Sequence, residues 1–323
     1  MPKKINLEAI AQRTGIKSSK IKEILWLLYQ KGKIRNNEFV REIGLPKSAT
    51  RMLLKNLQLL LEKPSQFVIL NKEGKNFVEG KIGSLNKKLS LYEEQEKFKD
   101  QLFNLLKRYQ PKRPKPKRNL DQFQAVLETV VKRALLIQAR GDLEGNEILV
   151  LGDYDLTGLA LALLGGARKI VVVDIDRQLL RLIEQIAQKE KLKVKCFYYD
   201  AKEPLPPALR KSFDLVFSDP PYTPNGFKLF LSRAIEAMKT NEGVLYFCYG
   251  YSSRSPERGL EVQRIMDKTG LLIEEKLSDF NVYFGAESIG SHSSLYVLRM
   301  TPKTQALIKD RFKGPIYTGQ KRR

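Results

Sequence analysis

Residues 213–226 read FDLVFSDPPYTPNG, an apolar run that ends in an aspartate, two prolines and a tyrosine. Apolar side chains occupy most of positions 213–217, which predicts a buried strand of a parallel sheet. In open α/β sheets, ligands bind just beyond the carboxyl ends of the strands. Asp219 and Tyr222 are therefore placed where such a sheet normally carries its chemistry.

The two prolines make this loop stiff. Pro220 and Pro221 fix their own φ angles and restrict the residue before each of them, so the neighbouring carboxylate and phenol are held in position. An Asp-Pro-Pro-Tyr loop after a strand resembles the loop with which amino-directed transferases hold an attacking nitrogen, the acid and a backbone carbonyl being the acceptors. A plain proline-rich turn is the alternative interpretation.

The composition predicts a two-domain protein without a metal site. A chain of 323 residues with 42% hydrophobic residues can build two cores. No apolar run approaches the roughly 18 residues of a membrane span, and the MPKKINLEAI start lacks an apolar signal segment, so we expect a cytoplasmic protein. Two cysteines and one histidine provide no metal-ligand spacing.

The net charge of +22 is distributed unevenly. Residues 1–120 carry 28 Lys and Arg against 11 Asp and Glu, a net charge of +17, whereas residues 121–300 carry 23 against 24, a net charge of −1. A strongly basic protein usually binds nucleic acid. Here, however, the excess lies outside the predicted catalytic region.

Residues 1–83 are predicted to form a small winged-helix domain. Two helices with apolar faces precede a short helix, a Gly-Leu-Pro turn and a longer helix capped by Ser48, which is helix-turn-helix spacing. Residues 64–80 alternate like a hairpin and would form the wing. A docking or dimerising module is favoured over a DNA-binding one. In the DNA-binding alternative, the groove would be contacted by Lys47, Arg51 and Lys55.

Two basic segments flank the remaining region. Residues 84–120 are predicted to form a charged helix and then an extended linker, QPKRPKPKRN. Such a charge run is usually solvated, although it could contact phosphate. Residues 302–323 form a basic C-terminal tail to which we assign no function.

Residues 121–301 are predicted to form a Rossmann-like catalytic domain. After an amphipathic helix, strands alternate with helices, which indicates an α/β fold with a parallel sheet covered on both faces. The last two strands, LIEEKLSDFNVYF and SSLYVLRMT, are predicted to form an antiparallel pair. Seven strands in this order look like the methyltransferase version of the Rossmann architecture.

The turn after the first of these strands reads Gly152-Asp153-Tyr154-Asp155 and is the expected cofactor turn. Its two carboxylates would repel the carboxylate of S-adenosylmethionine and attract the ammonium and sulfonium groups of the decarboxylated form. An acidic helix start at a positive dipole end would give the same pattern.

The next two strands also end in acids. Asp174 is expected to accept the ribose hydroxyls, while the nearby Asp176 could contact the cofactor or cap the next helix. Asp200 and Ala201 are expected to meet the adenine edge. Three acids at three successive strand ends, followed by the Asp-Pro-Pro-Tyr loop, are difficult to obtain by chance.

Taken together, LVLGDYDLTGLALAL, VVVDID and FSDPPYTPNG resemble the branched-chain polyamine synthases, the N(4)-bis(aminopropyl)spermidine synthases of thermophiles. The resemblance runs through residues 112–300 and extends to the N-terminal winged helix. Tyr154 departs from the family's turn of glycine and three acids. The segment after Phe123 departs from the family's Thr-Pro-Glu-Thr helix start.

The resemblance implies an aminopropyltransferase without a tightly bound cofactor. It would use decarboxylated S-adenosylmethionine, release 5'-methylthioadenosine and aminopropylate the central secondary amine of spermidine, twice. We expect a homodimer and no membrane partner. The catalytic residues would be Asp219 and Asp155. The polyamine would contact Asp121, Gln122, Tyr154, Asp155, Asp219, Pro220 and Tyr222. The co-substrate would contact Gly152, Asp153, Asp174, Asp176, Asp200 and Ala201.

A second hypothesis is an S-adenosylmethionine-dependent nucleic-acid amino-methyltransferase. In that enzyme Asp219 would hold an exocyclic amine and Tyr222 would stack on a flipped base. The basic N-terminal region favours this hypothesis, but the acidic turn disfavours it because intact S-adenosylmethionine keeps its carboxylate. A non-enzymatic winged-helix regulator is the third hypothesis.

Overall fold

The protein is described by a computed structural model, and the residues whose structure is described are 5–16, 18–82, 87–239, 242–252, 255–286 and 289–319. The chain divides into two compact units, Met1–Glu96 and Lys97–Arg323. Among the described residues, no helix combines the length and the apolar character that a membrane span requires.

The first unit is largely helical. Its elements are α1 (Leu7–Thr14), α2 (Ser18–Lys31), β1 (Lys33–Arg35), α3 (Asn36–Ile43), α4 (Lys47–Asn56), β2 (Phe67–Ile69), α5 (Lys72–Phe77) and a π-helical turn (Val78–Ile82). Asn6 caps α1 by accepting hydrogen bonds from two backbone amides, and Gly15 ends it in the left-handed conformation, as its sequence position predicts. Helices α3 and α4 flank the Gly-Leu-Pro turn, as the sequence predicts.

The predicted hairpin over residues 64–80 is wrong. Strand β2 pairs antiparallel with β1, and α5 follows it directly. Asn71 accepts a hydrogen bond from the amide of Gly74 at 2.8 Å, which caps a helix where the alternation indicated a strand. The expected cap at Ser48 is also wrong, because α4 begins at Lys47 and its N-cap residue, Pro46, makes no side-chain bond.

The second unit begins within α6 (Lys87–Tyr109). The C-terminal half of this helix contributes Leu102, Leu106 and Tyr109 to the core of the unit. The elements that follow are β3 (Gln124–Ala125), α7 (Leu127–Ala139), β4 (Glu147–Leu151), α8 (Thr157–Leu164), β5 (Lys169–Asp174), α9 (Arg177–Lys189), β6 (Val194–Tyr198), β7 (Leu215–Ser218), α10 (Pro224–Ala237), β8 (Val244–Tyr249), α11 (Pro256–Lys268), β9 (Leu272–Phe284) and β10 (His292–Arg299).

One sheet organises this unit, in the order β3-β9-β10-β8-β7-β4-β5-β6. Strands β6, β5, β4, β7 and β8 are parallel, and β10 and β9 close the sheet as the predicted antiparallel pair. The methyltransferase-type fold is therefore confirmed, with the two-residue β3 as an additional edge strand.

The central strands are buried on both faces. In β4, Ile148 and Val150 belong to the apolar cluster on one face, and Leu149 and Leu151 belong to the cluster on the other face. Strand β4 lies between β5 and β7, where the chain order reverses. The carboxyl ends of these strands open at one edge of the sheet, which is where such folds bind ligands.

Candidate active site

A cavity lies at this edge of the sheet. It is lined mainly by the residues that follow β4, β5, β6 and β7, together with residues near 121 and 317. The lining residues are Leu120, Asp121, Gln122, Phe123, Leu151, Gly152, Tyr154, Asp155, Val173, Asp174, Ile175, Tyr199, Ala201, Asp219, Pro221, Tyr222, Phe230 and Tyr317.

The turn after β4 gives its two acids different surroundings. Gly152 has φ +76°, a conformation that glycine adopts without steric cost. The carboxylate of Asp153 accepts hydrogen bonds from the amides of Thr157 at 2.6 Å and Gly158 at 2.9 Å, at the start of α8. It does not line the cavity, and burial raises its pKa well above the ordinary value. Asp153 therefore has the geometry of an acid at the start of a helix, which was the alternative interpretation of the acids in this turn.

Asp155 faces the cavity but is already surrounded by donors. One carboxylate oxygen accepts from the backbone amide of Ala125 at 2.9 Å and from Arg113 at 3.3 Å. The other oxygen accepts from Arg133 at 3.0 Å. Both arginine side chains are almost completely excluded from solvent, so Asp155 is a buried, ion-paired carboxylate.

Arg133 links the two acids proposed for catalysis, and sequence reasoning missed it. Its guanidinium donates to Asp155, to Oδ2 of Asp219 at 2.6 Å, to Asn281 at 2.8 Å and to the hydroxyl of Tyr283 at 3.1 Å. A sequence signal existed. Arg133 lies on the apolar stripe of α7, and a buried charge on such a stripe requires partners.

The two oxygens of Asp219 differ in their hydrogen bonds. Oδ2 accepts from Arg133 and from the Tyr283 hydroxyl, the latter at 2.8 Å. Oδ1 accepts only a long bond of 3.4 Å, from the hydroxyl of Tyr222, among the described residues. Burial raises the pKa of Asp219, and the positive charge of Arg133 opposes that rise. Oδ1 is therefore the oxygen of Asp219 that can accept a further hydrogen bond.

The two acids at the carboxyl end of β5, Asp174 and Asp176, have separate roles. Asp174 lines the cavity and accepts the backbone amides of Asp153 at 3.0 Å and Asp176 at 2.8 Å, and burial raises its pKa to about 6. Asp176 caps α9, which was the alternative left open by the sequence. Its carboxylate also pairs with Lys117 at 2.8 Å.

After β6, Ala201 lines the cavity, whereas Asp200 accepts the backbone amide of Lys202 at 2.9 Å and is not among the lining residues. In the loop after β7, Pro221 and Tyr222 line the cavity. Pro220 is buried beside them without lining it. Of the predicted site residues, the cavity thus brings together Asp121, Gln122, Gly152, Tyr154, Asp155, Asp174, Ala201, Asp219 and Tyr222.

The segment expected to be a solvated linker packs against the turn after β4. Arg113 is buried, and its guanidinium lies 4.7 Å from the ring centre of Tyr154. The phenol of Tyr154 donates to the carbonyl of Pro114 at 2.9 Å. Two of the basic groups in this segment, Arg113 and Lys117, neutralise acids near the cavity and do not contribute a free positive surface.

Residues near both ends of the second unit meet at the cavity. Asp121 has φ +52°, a strained conformation for a residue with a side chain. Its carboxylate accepts the backbone amide of Thr318 at 2.9 Å, and Tyr317 lines the cavity. Sequence reasoning gave the tail containing these residues no function. Within the described residues, no cluster of His, Cys, Asp and Glu could hold a metal ion.

This methyltransferase-type sheet, with acids lining a cavity at the point where the strand order reverses, defines the class of Rossmann-like group transferases. Residues 101–310 match the family described as "Branched-chain polyamine synthase A C-terminal domain", and the chain belongs to that family.

The chain is also similar to individual proteins. An uncharacterized protein of Methanocaldococcus jannaschii is 34% identical over 98% of this chain and 82% of its own length. The N(4)-bis(aminopropyl)spermidine synthase of Thermococcus kodakarensis is 36% identical over 53% of this chain and 49% of its own length, so the matched region spans about half of that synthase.

A solved structure extends the similarity in fold. The branched-chain polyamine synthase C9 mutein from Thermus thermophilus was crystallised with N4-aminopropylspermidine and 5'-methylthioadenosine. It is similar with a TM-score of 0.62 and 24% identity, over 96% of this chain and 95% of that chain.

Proposed function

We propose that this protein is an aminopropyltransferase. It transfers the aminopropyl group of decarboxylated S-adenosylmethionine to the central secondary amine of spermidine, giving N(4)-aminopropylspermidine and then N(4)-bis(aminopropyl)spermidine. The observation that carries the proposal is the underused Oδ1 of Asp219 in a cavity that three further acids line. Family membership supports the same reaction. The four acids are Asp121, Asp155, Asp174 and Asp219.

The acceptor nitrogen must be a neutral amine when it attacks, although a polyamine is mostly protonated near neutral pH. Its lone pair forms the new N–C bond, the C–S bond breaks, and the electron pair leaves on the sulfur of 5'-methylthioadenosine. In the first transfer, the proton of the resulting ammonium passes to Oδ1 of Asp219, which acts as the general base. The second transfer gives a quaternary ammonium without an N–H, so there Oδ1 takes the proton from the protonated tertiary amine before that amine attacks. The stiff loop after β7 holds this oxygen in place, which lowers the entropic cost of alignment.

The residues after β4, β5 and β6 suit the adenosine part of the co-substrate. Gly152 brings the backbone close to the cavity, and the carboxylate of Asp174 is an acceptor for the ribose hydroxyls. Ile175 and Ala201 provide the apolar surface beside them. We assign no direct contact to Asp153, because it does not line the cavity and its oxygens face the amides of α8.

The acceptor side of the cavity combines aromatic walls with acids. The ring centres of Phe123 and Tyr222 lie 6.0 Å apart, and both side chains line the cavity with Tyr154. Such rings pack against the aliphatic stems of a polyamine and favour its ammonium groups. Asp121 is the acid on this side whose carboxylate binds only neutral partners, so it is our candidate for holding a terminal ammonium.

One set of incubations tests the reaction. The full chain is incubated with spermidine and either decarboxylated or intact S-adenosylmethionine, and in parallel with DNA and RNA, and products are identified by mass. We expect spermidine to gain one or two C3H7N increments, only with the decarboxylated form. Methylation of nucleic acid with the intact form would overturn the proposal in favour of an amino-methyltransferase.

The assembly and the partners of the first unit are further proposals. We propose a homodimer, to be tested by light scattering at several concentrations, and a cytoplasmic location, to be tested by fractionation. Nucleic-acid binding by α4 is not favoured, and a salt-dependent band shift with duplex DNA would reverse that judgement.

A further inference from the structure

Asp155 and Asp219 share one guanidinium. Arg133 is fully buried and donates to both carboxylates, through different nitrogens, at 3.0 and 2.6 Å. A planar guanidinium with several donors fixes two carboxylates more rigidly than an ammonium would. The orientation of the Asp219 carboxylate is thus set by a residue that is absent from the residues lining the cavity.

We propose that Arg133 is the positioning residue for the catalytic base. By occupying Oδ2 of Asp219 it leaves Oδ1 for the acceptor nitrogen, and its positive charge keeps the buried carboxylate able to take up a proton from the amine. Asp155 disfavours the ionised form of Asp219, because it shares the charge of Arg133 and adds a second negative charge nearby. This inference rests on the proposed function and deepens it.

The groups facing Asp219 come from five places in the fold. They are Arg133 on α7, Asp155 after β4, Tyr222 in its own loop, Cys248 on β8 and Tyr283 on β9. Burial raises the pKa of both tyrosines and of the Cys248 thiol, so all three are neutral near pH 7. Arg133 and Asp155 are therefore the two charges that decide the ionisation of Asp219.

These two charges predict shifts of opposite sign. Loss of Arg133 removes a positive charge and should raise the pKa of Asp219 by about 1 to 3 units. Loss of the charge on Asp155 removes a repulsion and frees Arg133 for Asp219, so the pKa should fall by about one unit. A purely structural disturbance has no reason to produce opposite signs.

The test follows the titration of Asp219 directly. The full chain is labelled at the aspartate carboxyl carbons, and the Asp219 resonance is identified by its absence from Asp219→Asn. Its titration midpoint is measured by NMR in the wild type, Arg133→Met and Asp155→Asn. Arg133→Lys, which keeps the charge, should return the midpoint towards the wild-type value.

Arg233→Met is the matched control. Arg233 is also fully buried in this unit, but its described partners are Glu236 and backbone carbonyls, and Asp219 is not among them. We expect it to lower the melting temperature without moving the midpoint of Asp219. If Arg133→Met does not fold, Arg133→Gln replaces it, because it removes the positive charge and keeps an amide group that can donate hydrogen bonds.

Two results would overturn the inference. One is a folded Arg133→Met, or its replacement Arg133→Gln, with an unchanged midpoint. The other is a midpoint that does not fall in Asp155→Asn. Because NMR needs no turnover, these results are distinct from failure of the proposed function, which would appear as a wild type that makes no aminopropylated product.

Discussion

The turn after β4 and the loop after β7 bring acids to the same edge of one sheet, but only one of them leaves an oxygen available. In the turn, Asp153 binds two amides of α8, and Asp155 binds two arginines and an amide. In the loop, Asp219 uses Oδ2 for strong partners and keeps Oδ1 for a single long bond. An acid at a strand end is thus a candidate for chemistry only after its hydrogen bonds have been counted.

Asp219→Asn is expected to have the largest effect. The asparagine keeps the size of the side chain but cannot take up the proton, so turnover should fall about a hundredfold to ten-thousandfold, or about 3 to 5 kcal/mol of barrier. Steady-state kinetics with spermidine, together with calorimetry of 5'-methylthioadenosine binding, measures this. Affinity for 5'-methylthioadenosine should stay nearly constant. A rise of the spermidine KM alone would instead make Asp219 an ammonium anchor.

Asp153→Ala should act on stability. It leaves the amides of Thr157 and Gly158 without their acceptors, so the free energy of unfolding should fall by about 1 to 2 kcal/mol. Thermal and denaturant unfolding measure this change. Asp176→Ala, which uncaps α9, is the matched variant and should cost a similar amount. A stable Asp153→Ala that no longer binds 5'-methylthioadenosine would place Asp153 among the co-substrate contacts.

Asp174 should make co-substrate affinity depend on pH. Burial raises its pKa to about 6, so the ionised form that accepts ribose hydroxyls is lost as the pH falls through that value. At one pH unit below the pKa only about a tenth of the groups are ionised, so affinity for 5'-methylthioadenosine should fall about tenfold between pH 7 and pH 5. Calorimetry across this range measures it. Asp174→Asn should bind weakly with a flat profile, whereas a wild-type slope in this variant would exclude Asp174 as the cause.

Removal of the first unit should have the smallest effect. Every residue that lines the cavity lies in the second unit, so a chain beginning at Lys97 should bind 5'-methylthioadenosine as the full chain does. A chain beginning at Pro111 is the instructive comparison. It would lack Leu102, Leu106 and Tyr109 of the core and should be less stable. Loss of binding in a folded chain beginning at Lys97 would contradict this expectation.

Local patterns predicted most of the second unit. The alternation of apolar, strand-like runs with helices predicts the seven strands, and the final antiparallel pair is confirmed. The helix cap at Asp176 was also available from the sequence as one of two alternatives. These features depend on neighbouring residues and on the period of the side chains, which a single sequence displays directly.

Contacts between distant residues could not be predicted in the same way. Arg133 on α7 and Asp219 after β7 are 86 positions apart, and nothing local marks them as partners. The hairpin over residues 64–80 failed for a different reason. Apolar and polar side chains alternate in this segment as they would in a strand, but the cap at Asn71 stabilises a helix there. The prediction of a solvated linker did not include a buried Arg113, because composition alone does not show which basic residue pairs with a buried acid.

The hydrogen bond between Asp121 and Thr318 spans 197 positions of the chain and lies beside the cavity. Contacts of such sequence separation form slowly, because the loop must close before they contribute any energy. During synthesis, β4, β5, β6 and β7, whose carboxyl ends lie at the cavity, are made well before Thr318, since the last of them ends at Ser218. The cavity therefore reaches its final shape only after Thr318 has been made and has bonded to Asp121, so we expect ligand binding to appear later in synthesis than the central strands.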